Sequence, residues 1–262
     1  MTLPRLERYY DDAVREHAEA QEVAGFTVYV GEPGGWTFSA RPTVGSSEKY
    51  DAAAVAALIS RMTGLGLDPA LEWIHETTPS LRDAVLAEGS LEVEETPLMV
   101  LGERRRPRVL PRIDLRLLEP SDDQAFVASN AVARVAFDDS APDDAGPEAR
   151  DAARRPLSRQ ATELLRAGGA RVAVAEHPEH GVVAGGRHIE RDGVTEVVAV
   201  ATLPAYRRAG LAAAVTDLLI DDAVGRSCDT VFLTASSPAV AALYGGLGFT
   251  EVATGYAAFS AG

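Results

Sequence analysis

Glu196-Val-Val-Ala-Val-Ala-Thr202-Leu-Pro-Ala-Tyr-Arg207-Arg208-Ala-Gly210-Leu-Ala212 is the stretch on which the reading of this chain turns. It begins as a β-branched apolar run, which suits a buried strand. Pro204 marks a turn, two arginines and a glycine follow, and an apolar helix begins at about Gly210. A helix that starts there presents backbone N–H groups without intrahelical partners and the positive end of its dipole. Such an end binds phosphate, and adjacent arginines add charge-assisted donors. The stretch therefore predicts a site for a phosphorylated cofactor. A P-loop nucleotidase is excluded, because no G-x-x-x-x-G-K-[ST] occurs and Lys49 is the only lysine. Gly210 also lacks the paired glycines of a dinucleotide fingerprint.

Arg207-x-x-Gly210-x-Ala212 resembles the pyrophosphate loop of the GNAT superfamily of acyl-CoA-dependent N-acetyltransferases, Gln/Arg-x-x-Gly-x-Gly/Ala, and Thr202-Leu-Pro204-Ala-Tyr206 resembles that family's strand-to-loop junction. Downstream, Ser237-Pro-Ala-Val-Ala-Ala-Leu243-Tyr244-Gly-Gly-Leu-Gly248-Phe249 is similar to the family's Asn-Pro-x-x-x-x-Leu-Tyr helix with its Leu-Gly-Phe return. Short glycine patterns recur by chance, so the weight lies in both motifs standing in order with a β-rich segment between them. The resemblance implies an α/β (α+β) GNAT fold, with a mixed, mostly antiparallel sheet whose central strands splay apart between helices.

Residues 112–262 follow the order expected of the catalytic domain: a strand from 112, a helix from Ser121 to about Phe137, an Asp/Pro/Ala-rich loop or frayed helix over 138–155, and a helix over 157–167. A hairpin joined by His177-Pro-Glu-His180 comes next, then the 195–202 strand, the helix to Gly225, strand 230–235, the helix near 238–245, and strands near 249–252 and 256–259. Residues 1–102 predict helix 4–22, strands near 26–31 and 35–40, helix 51–63, a strand near 71–75, helix 79–88 and strands near 91–101. They loosely resemble the C-terminal half of a GNAT fold without the Arg-x-x-Gly-x-Ala loop, a partial and cofactor-free domain. Residues 103–111, charged and punctuated by proline, read as a linker.

The formal net charge is −14, with 18 Asp/Glu against 11 Lys/Arg up to residue 111 and 21 against 14 beyond it. Acidity spread this evenly repels nucleic acid and anionic membranes. No apolar run approaches the roughly 20 residues needed to span a bilayer, and the N-terminus has no apolar segment of a secretion signal. The single Cys228 fits a reducing cytoplasm. His177-x-x-His180 has no further ligand at metal spacing and reads as a turn, so no metal is expected.

Acetyl transfer to an amine makes three demands. Holding acetyl-CoA falls, by resemblance, to the backbone N–H groups of Arg207, Arg208, Ala209, Gly210, Leu211 and Ala212 and to the strand edge at Val200, Ala201 and Thr202. A free edge hydrogen-bonds an amide-rich chain as another strand would. Val200 takes the oxyanion-type N–H role of its family counterpart. Ser237, where relatives often carry Asn, stands where a pantetheine contact is expected. Neutralising an alkylammonium costs roughly 4–5 kcal/mol at pH 7, and Glu196 is the candidate base, with Glu190 and His188 as alternates. Protonating the departing thiolate falls to Tyr244, whose counterpart sits beside the cofactor sulfur. The carboxylates of 138–151 are expected to draw in a cationic acceptor.

The resemblance thus implies transfer of acetyl from acetyl-CoA to a small-molecule amine. Acetylation of a protein N-terminus or lysine, and a non-catalytic acetyl-CoA-binding module, remain open alternatives. Two assemblies also remain open: a monomer whose front domain replaces the second subunit of dimeric relatives, or a homodimer.

Overall fold

The computed structural model describes residues 3–33, 35–108, 110 and 112–260. Packing divides the chain into two compact units that are not continuous in sequence. The first comprises residues 1–99, 234–238 and 251–262, and the second 100–233 and 239–250. The chain thus crosses between units four times, where the charged stretch 103–111 alone suggests one boundary.

The first unit opens with α1 (Leu3–Arg15), β1 (Ala18–Val23), β2 (Phe26–Gly31) and β3 (Arg41–Pro42), the three strands forming one antiparallel sheet. It continues with α2 (Ala52–Gly64), β4 (Ala70–Ile74), α3 (Leu81–Glu88) and most of β5 (Leu91–Leu101). Phe26, Val28, Val55, Leu58, Leu71 and Val85 are among the residues filling its core. The helix expected over residues 4–22 ends at Arg15 instead, and the strands expected near 35–40 reduce to a bridge at Ala40 beside β3. Ala24 and Gly25 both take positive φ, 47° and 81°, and close β1 onto β2 in a two-residue turn. That geometry normally selects Asn-Gly or Asp-Gly, so alanine conceals the hairpin.

In the second unit β6 (Asp114–Leu117), α4 (Asp123–Ala136), α5 (Pro147–Ala152) and α6 (Arg159–Arg166) lead into β7 (Arg171–His177), β8 (Gly181–Arg191) and β9 (Val194–Thr202). Then come α7 (Leu211–Gly225), β10 (Thr230–Thr234), α8 (Pro238–Gly245) and the start of β11 (Phe249–Ser260). Its strands lie in the order β10–β9–β8–β7–β6, antiparallel except for the parallel β9–β10 pair. The mixed, mostly antiparallel α/β architecture is as expected. The two strands expected after residue 248 are one, β11, which runs unbroken through Gly255. A Cβ at Gly255 would stand 2.9 Å from Thr96 Oγ1, so glycine there admits a neighbour rather than ending a strand.

Two adjacent glycines on β8 show how the layers close. A Cβ on Gly185 would run into Ser129 of α4, whereas one on Gly186 would meet Val215 and Leu219 of α7 at 3.2 and 3.3 Å. Neighbouring strand residues point to opposite faces, so α4 covers one face of the sheet and α7 the other. His188, two residues past Gly186, falls on the α7 face. Its ring nitrogens lie 2.8 Å from Thr195 Oγ1 and 2.9 Å from Asp222 Oδ2. Burial holds its pKa below the usual histidine range, against the pull of Asp222.

Two arginines after β5, Arg104 and Arg106, are bound to α7. Arg104 donates through Nε to Asp217 Oδ1 at 2.8 Å and through Nη1 to Asp221, and Arg106 joins both carboxylates. Arg104 and Asp217 are largely buried, at 19% and 14% side-chain exposure, so Arg104→Ala leaves a carboxylate without its main donor. A loss of about 1.5–3 kcal/mol in unfolding free energy is expected from urea titration at pH 7. The hydrogen bonds from Arg104 and Arg106 depress Asp221 to about 2. A depressed carboxylate contributes stability that is complete above its unfolded value near 4 and lost as the pH falls through 2. The gap between wild type and variant should therefore narrow at pH 2.5; a gap as wide as at neutral pH would remove the ion-pair account.

Candidate active site

The β9–β10 ladder is three pairs long: Thr230–Val194, Val231–Thr195 and Phe232–Glu196. Beyond Glu196, among the described residues, β9 keeps its partner β8 and has no register with β10. The central strands therefore splay as expected, and the edge of β9 from Val197 to Thr202 is left facing the gap.

On the β8 side the register steps from Gly185↔Ala201 to Arg187↔Val198, two residues on β8 against three on β9. The extra residue is a β-bulge, and Ala199 carries it with φ of 52°. An alanine in the left-handed region costs about 1–2 kcal/mol. Bulges break the ladder locally and re-aim the strand. This one lies immediately before Val200, the residue given the oxyanion-type N–H. The Val200 side chain points to the α7 face, where a Cβ on Gly186 would lie 3.0 Å from its Cγ2.

After Thr202 a single 3₁₀ turn, Pro204–Tyr206, leads to the bend. Arg208 and Gly210 take positive φ, 63° and 85°, and residues 207–210 are exposed. Gly210 is the N-cap of α7. It supplies no side-chain cap, and the first turn, Leu211–Ala214, contains no carboxylate. A Cβ at Gly210 would meet only Leu110, at 3.6 Å, so left-handed geometry rather than crowding demands glycine. The bend, the uncapped helix start and the bare β9 edge form a cradle suited to a diphosphate and an amide-bearing arm.

Arg207 stands apart from its neighbours. Its N–H donates to Pro204 O at 3.1 Å, and its guanidinium donates to Ala136 O, at the end of α4, at 2.9 Å. Ala205 N likewise donates to Ala145 O at 3.1 Å. The bend is thus fastened at two points to the acidic connection between α4 and α5. Buried Arg150 fastens the far end of that connection, donating to His180 O and Val182 O at 2.6 Å each.

Tyr244 lies on α8, 7% exposed, with its ring edge-to-face with Phe249 at 5.9 Å. Burial pushes its phenol up to about 12. Ser237 immediately precedes α8 and packs with the first unit. Glu196 occupies the last rung of the β9–β10 ladder, where the strands part. It pairs with Ile189 across β8 and so shares the α4 face with Val198. Thr202 Oγ1 is buried at the end of the bare edge without a hydrogen-bond partner. His177 and His180 stack at 4.5 Å beside Tyr206, whose hydroxyl bonds His180 Nδ1. Among the described residues no three His, Cys, Asp or Glu side chains gather as a metal site, and no helix is long and apolar enough to cross a membrane.

Comparison with known proteins places this geometry. Residues 136–249 match the profile of the Acetyltransferase (GNAT) family. No curated protein matches. Among solved structures, a GCN5-related N-acetyltransferase from Kribbella flavida aligns with a TM-score of 0.75 at 18% identity, covering 99% of this chain and 95% of its own. A GCN5-related N-acetyltransferase-like protein from Streptococcus suis gives 0.58 at 13% identity, covering 98% and 97%. A tandem GNAT protein from the clavulanic acid biosynthesis pathway gives 0.56 at 11%, covering 90% and 78%. At these identities the structures speak for the fold, and the profile speaks for the segment holding the bulge, the bend and Tyr244. With splay, bulge and glycine bend inside the matched residues, segment 136–249 is a GNAT-family acetyltransferase domain, and the chain as a whole shares the fold of GNAT structures.

Proposed function

We propose that the second unit transfers an acetyl group from acetyl-CoA to the primary amine of a small-molecule acceptor, by direct attack while both are bound. The observation that carries this reading is the parting of β9 from β10 after Glu196, with the bulge at Ala199 three residues further on. Acetyl-CoA would be held by the N–H groups of residues 208–212 and by the free edge at Val200–Thr202, and it supplies a thioester-activated acyl group. Val200 then offers its N–H where negative charge develops on the carbonyl oxygen. Glu196 lies four strand residues from Val200, roughly 13 Å along the chain at strand rise. That span exceeds a hydrogen bond, so Glu196 takes the amine proton through intervening water. The carboxylates of Asp139, Asp143, Asp144 and Glu148 stand on the connection fastened to the bend and favour a cationic acceptor by long-range attraction.

Calorimetric titration with acetyl-CoA, followed by a free-thiol assay across amines, amino acids and peptides, tests the reading. Binding in the micromolar range and thiol release with small amines are expected. Thiol release with peptides alone would replace the acceptor class, and binding without release under any acceptor would leave a sensor rather than an enzyme.

A further inference from the structure

Arg187 has no role in the scheme above, yet it flanks the reaction site. It pairs with Val198 on β9, the last residue before the bulge, and with Val172 on β7. By strand alternation it shares the α4 face with Gly185 and Ile189, and therefore with Glu196. It is partly buried between two valines, and among the described residues no carboxylate, carbonyl or side chain accepts from it. Burial is the sole influence on its pKa, which it lowers, with no charge of either sign contributing. Other semi-buried arginines of this unit are matched: Arg104 with Asp217, Arg150 with two carbonyls, Arg116 with Asp122 and Glu176.

A guanidinium does not deprotonate in a protein and carries five donors in a rigid fork. Here the fork stands in an apolar strand row with no protein anion beside it among the described residues, so its donors are available to a bound ligand. The cofactor's phosphates are expected beyond Thr202, past the C-terminal end of β9, so an anion at Arg187 belongs to the other substrate. A single fork neutralises one charge and matches the two oxygens of a carboxylate.

We propose that Arg187 binds a carboxylate of the acceptor, which is therefore an amino acid or a related amine carrying a carboxylate a few bonds from its nitrogen. The inference rests on the transferase reading and names its acceptor class. Its ammonium end would meet the Glu196 side of the cleft and its carboxylate the fork of Arg187, on the same face of the sheet.

The test uses amino acids and their carboxamides as matched acceptors, read by thiol release from acetyl-CoA, with wild type, Arg187→Gln, Arg187→Lys and Arg187→Met. Wild type is expected to favour the free acids by about 10- to 100-fold in kcat/KM. Arg187→Gln should bring the acids down to the level of the amides, and Arg187→Lys should keep part of the preference. Arg187→Met keeps the aliphatic bulk without the donors and should abolish the preference for acids while leaving Tm within about 2 °C. A purely structural arginine would instead lower Tm on replacement and slow acids and amides alike. Equal use of acids and amides by wild type, or a Tm for Arg187→Met lower by more than about 2 °C, overturns the proposal. If no amine is acetylated, the transferase reading fails by itself. Titration with N-acetylamino acids and their amides then decides Arg187: acid-selective binding lost in Arg187→Gln sustains the carboxylate site, and equal or absent binding ends it.

Discussion

Tyr244→Phe is expected to lower kcat by about 10- to 100-fold while leaving acetyl-CoA affinity within about twofold. The size follows from the environment of the phenol. Burial raises it to about 12, so it is protonated throughout the range in which amines are acetylated. A thiol of ordinary pKa near 8.5 is the stronger acid by roughly three units, so complete proton transfer to a departing thiolate is uphill by about 4–5 kcal/mol. On the proposed reading the phenol would therefore act as a hydrogen-bond donor to developing charge rather than as a full proton donor. Such a bond to a charged acceptor is worth about 1.5–3 kcal/mol, which gives the stated range. Tyr244 should also add no basic limb to the pH–rate profile below about 12. Its ring packing on Phe249 survives the substitution, so folding and cofactor binding are preserved. Single-turnover measurement with saturating acetyl-CoA reads the chemical step, and an unchanged rate there would remove Tyr244 from it.

The parts of this fold that depend on chemistry peculiar to one residue type were legible in the sequence. Gly210, at φ of 85°, announces the N-cap of α7, and Pro204 announces the turn before it. The β-branched run 195–202 announces the strand that the structure shows as Val194–Thr202. What escaped depends on residues in unaccustomed roles. Ala24 and Ala199 both take left-handed geometry without the glycine or asparagine that would signal it, and so conceal the first hairpin and the bulge. Nothing in Glu196-Val-Val-Ala-Val-Ala marks where the strand gains a residue, so the bulge before Val200 is invisible in the sequence. Arg187 escaped for another reason: a lone arginine in a strand reads as solvated, and only the register with Val172 and Val198 reveals its apolar setting. Arg104 and Arg106 read as part of a linker because their partners, Asp217 and Asp221, lie more than a hundred residues away.

These misses share a consequence for the site. The bulge at Ala199 stores backbone strain, and the unpartnered fork of Arg187 sits one residue away across the β8–β9 ladder, where Arg187 pairs with Val198. Backbone strain and an unpartnered fork on neighbouring residues are what an acyl group and an acceptor would engage on binding. The surrounding unit compensates through matched elements: the His188–Asp222–Thr195 network on the α7 face, the Arg104 clamp and the Arg150 tether.

Gly248→Ala should destabilise the second unit more than any other single methyl added near the site, by about 3–5 kcal/mol, with a fall in Tm of about 6–20 °C. Gly248 has φ of 101°, already strained for an L residue. Its missing Cβ leaves room for main chain: a methyl there would fall on the carbonyl oxygen of Glu103 and within 2.9 Å of the carbonyl carbon. Backbone cannot swing aside as a side-chain tip can. Relief would require residues 102–105 to withdraw, breaking the bonds from Gly102 N to Gly248 O and from Arg105 N to Leu247 O, both 2.9 Å. Withdrawal would also pull Arg104 from Asp217 and loosen the turn in which Leu247 N and Gly248 N cap Tyr244 O and Gly245 O. Gly245→Ala is the matched control, because its added methyl meets nothing within 4 Å. A thermal melt of both variants distinguishes close approach of main chain from a general intolerance of side chains at the end of α8. If Gly248→Ala melted with the control, the glycine of the Leu-Gly-Phe return would be dispensable, and the anchoring of Tyr244 would have to come from the packing of Phe249 alone.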